Sequence, residues 1–288
     1  MAKPMKIGLS LPYTFLASTG DGLRDSMLRS SLGPAVRGLE LLKRHVQCIE
    51  VGCLNEAAPA DQIVRAVRRI WSAGLEAIVH GHLPQSVDST DLGSFYPWLG
   101  PLLREMPHRQ KRLMLNVHAL SADTGEVTRL HRRTVENLRK LAGLVDSQKL
   151  PVRFALELNR SKDEIDPSTT YEGVLNMCLE IASPHVGIGW DWGHTYANVL
   201  KDAVPVDPPL DFLERVVHAH IHDIGPGGST HFPLTCGTVP VRTYANTLKG
   251  VGYQGYYILE LYPERFADAG PVRGLFTSSV KILRQALE

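Results

Sequence analysis

Six short apolar stretches of the sequence each deliver a side chain that can bind a cation or carry a proton. They are Ala77 to His80, Leu113 to His118, Phe154 to Glu157, Val186 to Asp191, Val216 to Asp223 and Tyr256 to Glu260. Glu157, Asp191, His220 and Glu260 combine three carboxylates with one imidazole, a donor set suited to a divalent ion such as zinc, manganese, cobalt or magnesium. Such an ion would keep open positions for a substrate. Any one of the four alone is better read as a hydrogen-bonded polar residue. Four of them on successive apolar stretches argue for a shared site.

Asp191-Trp-Gly-His194 adds an imidazole three residues past a carboxylate, where the chain leaves a strand and turns, so both side chains can reach one site. His218, His220 and His222 alternate and should share one face of their strand. On a face lining a barrel, His218 lies a layer deeper and His222 at the rim, and both read as supports rather than ligands. Further candidates to bind metal or substrate are His80, His118 and His231, with His222 a weaker one. Trp192, between Asp191 and His194, is the aromatic with the best claim on a substrate. Tyr13, Phe15, Phe95, Tyr96, Trp98 and Tyr196 read as packing residues. The segment Gly225-Pro-Gly-Gly-Ser229 is either a nest of amides for a phosphate or an ordinary turn, and Cys236 beside it reads as a packed thiol.

Residues this far apart in sequence meet only if the fold brings strand ends together. A first strand starts at Lys6, followed by a Gly/Ser-containing stretch from Tyr13 to Gly33 and then a helix carrying Val36, Leu39 and Leu42. Cys48 to Val51 is a second strand. Pro59 opens a helix with Ile63, Val67, Ile70 and Trp71 on one stripe, ended at Gly74. Strands ending at His80, His118 and Glu157 follow, with a long helix from Leu130 to Val145 between the last two. Pro167-Ser168 marks the next helix start. Strands to Asp191, through His220 and from Tyr256 complete a set of eight, with helices expected near Phe212, over 241–248 and over 272–283. Strands this continuously apolar are buried on both faces. The pattern predicts one α/β domain over 1–288, a single (β/α)8 TIM barrel whose strand ends converge on one face. A doubly wound sheet is disfavoured because Ser10-Leu-Pro-Tyr13 stands where a Gly-rich phosphate turn belongs.

The 288 residues, 43% of them hydrophobic, suffice for one large core. Lys plus Arg number 31 and Asp plus Glu 30, so no global field draws the chain to nucleic acid or an anionic membrane. No run of Arg and Lys stands out near the rim loops. Cys48, Cys53, Cys178 and Cys236 lack metal-binding spacing and read as reduced, buried thiols. No apolar run approaches the roughly 18 residues of a membrane span, and the start of the chain does not read as a signal peptide. The expected location is cytoplasmic.

From His80 to Glu260 the order and spacing of these motifs resemble the xylose isomerase-like TIM-barrel superfamily, which includes sugar epimerases and isomerases and the endonuclease IV type of apurinic endonuclease. The resemblance implies that Glu157, Asp191, His220 and Glu260 are metal ligands, and that His194 lies nearby. In the nuclease branch it implies further ligands at His80, His118, His194 and His231. That branch also has an aspartate where Ser229 stands here, so one or two ions are expected rather than three.

These readings lead to a metal-dependent isomerase or epimerase of a sugar, polyol or keto-sugar, with Glu157 and Glu260 as acid and base and His194 assisting. A zinc phosphodiesterase of the apurinic endonuclease type, and a metal-dependent lyase or dehydratase on a keto-sugar, are the alternatives. A non-enzymatic barrel that keeps the metal as a structural ligand is disfavoured. The expected partner is a small carbohydrate, with nucleic acid disfavoured, no membrane, and a homo-oligomer left open.

Overall fold

A computed structural model describes residues 6–52 and 56–288. The eight apolar stretches form parallel strands: β1 (Lys6–Pro12), β2 (Cys48–Gly52), β3 (Glu76–His80), β4 (Leu113–Val117), β5 (Val152–Glu157), β6 (Val186–Asp191), β7 (Val216–Ile221) and β8 (Tyr256–Leu259). Each pairs with its sequence neighbour, and β1 pairs with β8, which closes the barrel. This is the expected (β/α)8 architecture.

Amphipathic helices cover the outside. The helix Ala60–Ser72 buries Ile63, Val67, Ile70 and Trp71, as its stripe predicts, and Gly74 follows it at φ 86°, the left-handed turn that releases the chain toward β3. Val127–Ser147 buries Leu130, Leu138, Leu141 and Val145 on the same principle.

Three sequence expectations differ from the structure. The stretch from Tyr13 to Gly33 contains helices Tyr13–Ala17 and Leu23–Leu32, folded about the Asp25 carboxylate, which accepts a hydrogen bond from Thr14 at 3.0 Å. The helix expected at Pro167-Ser168 begins at Tyr171. Ser168 is taken up by Asp166, whose Oδ1 accepts from its backbone N–H at 2.7 Å and its hydroxyl at 2.6 Å, and Thr170 caps the helix by accepting from Gly173 N–H. Cys236 is exposed, whereas Cys48 and Cys178 are buried thiols; Cys53 lies outside the described residues.

Inside the barrel, Cys48, Ile78, Met114, Ala155, Val217 and Ile258 form an apolar plug. Above it the inward positions turn polar: Glu50, His80, Asn116, Glu157, Asp191, His218 and His220 are all buried. An extra residue in β7, where Ile188 pairs with Val216 but Gly189 with His218, changes the register just before these histidines. No helix among the described residues is long and apolar enough to cross a membrane.

Candidate metal centre

β5, β6, β7 and the residue following β8 bring Glu157, Asp191, His220 and Glu260 together. One donor atom from each lies within 4.8 Å of every other. His220 Nδ1 stands at the middle, 3.4 Å from Glu157 Oε2, 3.4 Å from Glu260 Oε2 and 3.8 Å from Asp191 Oδ2.

Asp191, Glu260 and His220 each have one polar atom held by the protein, so a chosen atom faces inward, whereas Glu157 Oε2 is both held by Asn116 and turned toward His220 Nδ1. Asp191 caps the following helix, Trp192–Val199: its Oδ1 accepts from His194 N–H at 2.7 Å and lies 3.1 Å from His222 Nε2. Glu157 Oε2 accepts a hydrogen bond from Asn116 on β4. Glu260 Oε1 accepts from the Tyr262 hydroxyl at 3.2 Å. Glu157 Oε1, Asp191 Oδ2 and His220 Nδ1 are buried without a hydrogen-bond partner among the described residues. Buried polar atoms left this way are costly, and oxygen donors beside an imidazole nitrogen are what a divalent cation binds. The residues therefore fit a metal.

Glu50 on β2 is the part of the site that the sequence reading missed. It is fully buried, and His220 Nε2 donates to its two oxygens at 2.8 and 3.0 Å, while His218 Nε2 lies 2.9 Å away. Fixing Nε2–H on Glu50 aims Nδ1 at the carboxylates, the familiar role of a carboxylate behind a ligating histidine. Its signal was a carboxylate between Ile49 and Val51 inside an apolar run, a position where a charge is tolerated only when paired.

His80, His118, His194, His222 and His231 gather around the same centre. His80 and His118 place Nε2 3.3 and 3.4 Å from Glu157 Oε2. His194 Nδ1 lies 3.4 Å from Glu157 Oε1 and 3.3 Å from Asp191 Oδ2. His231, at a positive φ of 67°, places Nε2 3.2 Å from Glu260 Oε2 and stacks between His222 and Tyr262. His222 is buried behind Asp191 instead of at the rim, packed so closely on Gly193 that any side chain there would strike its ring.

Trp192 is placed differently from expectation. Its ring is fully buried among Trp190, Tyr244 and Tyr257, away from the cavity at the barrel mouth, because Asp191 starts a helix and the next side chain turns outward into the helical layer. Tyr262 is the aromatic residue that lines the cavity. The glycine segment after β7 forms a surface turn closed by Gly225 N–H donating to Ser229 C=O, and is not among the residues lining that cavity. Cations do line it: Arg160, Lys162 and Arg265, which form no run in the sequence because they come from two loops.

Electrostatics bind the cluster together. Burial opposes ionisation of Glu157, but His220, His118 and His80 outweigh it and hold the carboxyl well below its ordinary range. Burial likewise opposes ionisation of Glu260, which His220 and His231 overcome, and of Asp191, which His194 and His222 bring down to about 2. Glu50 is lowered by His220 and His218 against the same burial cost. Burial disfavours a charged His220, yet Glu50, Glu157 and Glu260 together raise it well above its ordinary value.

Residues 109–286 match the family model described as xylose isomerase-like TIM barrel. No curated protein matches the chain by sequence. Among solved structures, D-psicose 3-epimerase from Clostridium cellulolyticum H10 superposes with a TM-score of 0.65 at 14% identity, covering 99% of this chain and 100% of that one. A xylose isomerase domain protein from Alicyclobacillus acidocaldarius gives 0.65 at 15% identity and 98% coverage of both chains. A probable 3-DHS dehydratase from Bacillus anthracis gives 0.60 at 13% identity, covering 97% of this chain and 99% of that one.

Two outcomes follow from the cluster. Glu50→Gln should weaken manganese or zinc binding by about 10- to 100-fold in calorimetric titration, while unchanged affinity would remove Glu50 from the site. The raised imidazole contributes stability that is complete below histidine's ordinary value near 6.5 and lost as pH rises through its folded value. Metal-free protein should therefore melt at lower temperature as pH rises above neutrality, whereas metal affinity should increase as the Nδ1 proton is more easily displaced. A metal-free melting temperature that climbs over that range would contradict the assignment.

Proposed function

This chain belongs to the xylose isomerase-like TIM-barrel family, and on that premise we propose that it is a divalent-metal-dependent isomerase or epimerase of a small sugar, polyol or keto-sugar. The observation carrying this reading is that Glu157 and Glu260, at the ends of different strands and both held ionised, face one imidazole nitrogen from 3.4 Å each. Sugar epimerases among the solved structures of the same fold support it.

Glu157, Asp191, His220 and Glu260 would hold the ion. When bound, it supplies a Lewis acid that polarises a carbonyl and its neighbouring hydroxyl and offsets the negative charge of an enediolate. Glu157, already ionised at neutral pH, accepts the proton of the carbon next to the carbonyl. In an isomerisation Glu157 returns that proton to the neighbouring carbon. In an epimerisation Glu260 first takes up a proton from solvent and delivers it to the opposite face of the carbon, and Glu157 then releases the proton it took to solvent. The two roles reverse with the direction of the reaction. Asn116 and Tyr262 fix one oxygen of each, which sets the lone pair offered to the substrate. His194 sits between Glu157 and Asp191 and orients a substrate hydroxyl.

A phosphodiesterase reading draws on one observation, the placement of His80, His118 and His231 around the same carboxylates. Ser229 in place of a carboxylate weighs against it. A dehydratase on a keto-sugar would use the same metal and enediolate logic, and a probable dehydratase shares the fold.

Elemental analysis of the purified protein should find one or two equivalents of divalent metal, sharply reduced in Glu157→Gln. In a ketose panel followed by NMR, Glu260→Gln should slow turnover by about 10²- to 10⁴-fold. Cleavage of an abasic DNA duplex with no ketose turned over would reject the isomerase reading in favour of the phosphodiesterase.

A further inference from the structure

The cavity above the metal centre has a volume of about 170 Å³, with Glu260, His194 and His231 on its inner side and Arg160, Lys162 and Arg265 among its other walls. Resting on the isomerase reading, we propose that Arg160 and Arg265 form an anion subsite, so that the substrate carries a carboxylate or phosphate in addition to the carbonyl and hydroxyl presented to the metal.

Some of the cations around the mouth are already neutralised. Arg24, in an adjoining cavity, is paired through two nitrogens with Glu264 and stacked on Tyr262. Lys162 is 3.2 Å from Glu164. Among the described residues Arg265 has only neutral partners: Nη1 donates to the Thr230 carbonyl at 2.8 Å, to its hydroxyl at 3.1 Å and to His231 Nδ1 at 3.3 Å, with the Tyr262 ring 5.0 Å away. Its Nε and Nη2 make no hydrogen bond among the described residues. The guanidinium of Arg160 makes none there at all.

Neither arginine forms an ion pair with Glu157, Asp191 or Glu260. Those carboxylates are faced by imidazoles instead. The two guanidiniums are thus not committed to balancing the metal ligands beneath them, and a planar donor fork suits a carboxylate or phosphate.

The backbone holding Arg160 is built rigidly. It lies three residues past Glu157, and its N–H donates to Asn159 Oδ1 at 2.9 Å. Asn159 Nδ2 donates to Asp166 at 2.9 Å, and Asn198 ties the next residue by accepting from Ser161 N–H at 2.8 Å. Arg265 is locked by Thr230 as described. Guanidiniums with uncommitted donors, carried on an anchored backbone close to a ligand strand, select a substrate by charge as well as by its chelating groups.

The test uses three four-carbon probes matched in length: neutral erythritol, erythronate and erythritol 4-phosphate, titrated calorimetrically into manganese-loaded protein. At least one anion should bind about tenfold or more tightly than erythritol, and the better of the two identifies carboxylate or phosphate. Arg160→Gln and Arg265→Gln should each abolish most of that preference while manganese content by elemental analysis stays unchanged. Equal affinity for all three probes would overturn the subsite, as would an anion preference surviving both substitutions, since the metal alone would then account for it. Protein that holds no manganese would overturn the isomerase reading instead, and the same titrations would still decide the anion subsite.

Discussion

Three carboxylates facing one another in a buried pocket repel, and the site exists only because positive charge meets each of them at hydrogen-bonding range. The pivot is His220, held by Glu50 on one side and turned toward Glu157, Asp191 and Glu260 on the other. Removing Glu50 would free the ring to rotate and leave two histidines beside an empty position, a costly change in a low-dielectric interior. Because the pair joins β2 to β7 across the barrel, the constraint on the ligand is also a constraint on the fold.

Space for this cluster comes from residues that lack side chains. Gly189 pairs with Glu157 in the sheet, and a Cβ there would lie 2.6 Å from Asn116 Oδ1, so the glycine is what lets Asn116 reach the Glu157 carboxylate. Gly193 does the same for His222, which then backs Asp191. In both cases a glycine on β6 or just beyond it admits a polar group from elsewhere in the barrel, Asn116 from β4 and His222 from just past β7. The helix that starts at Asp191 uses the ligand itself as its cap, so a local backbone requirement and the metal geometry are satisfied by one side chain.

The barrel and the four central residues were legible because both rest on short-range patterns. A buried parallel strand shows as a continuous apolar run, and its C-terminal end is where a barrel puts chemistry, so Glu157, Asp191, His220 and Glu260 stood out. Glu50 did not, because it sits inside its run and its partners are far away in sequence. Trp192 misled for a related reason: sequence adjacency to Asp191 and His194 says nothing of direction once a helix begins. The start at Tyr171 was hidden by Asp166, whose side chain captures the very hydroxyl that resembled a cap. Arg160 and Arg265 come from separate loops, and only the closed barrel makes them neighbours of one cavity.

The site requires a single cation position among Glu157, Asp191, His220 and Glu260. Anomalous diffraction at the manganese edge, from crystals grown with manganese, locates it directly. The expected result is a peak coordinated by Glu157, Asp191, His220 Nδ1 and Glu260, with His220 Nε2 still on Glu50. A manganese ion bound only by the peripheral histidines, or His220 turned away from the carboxylates, would contradict it.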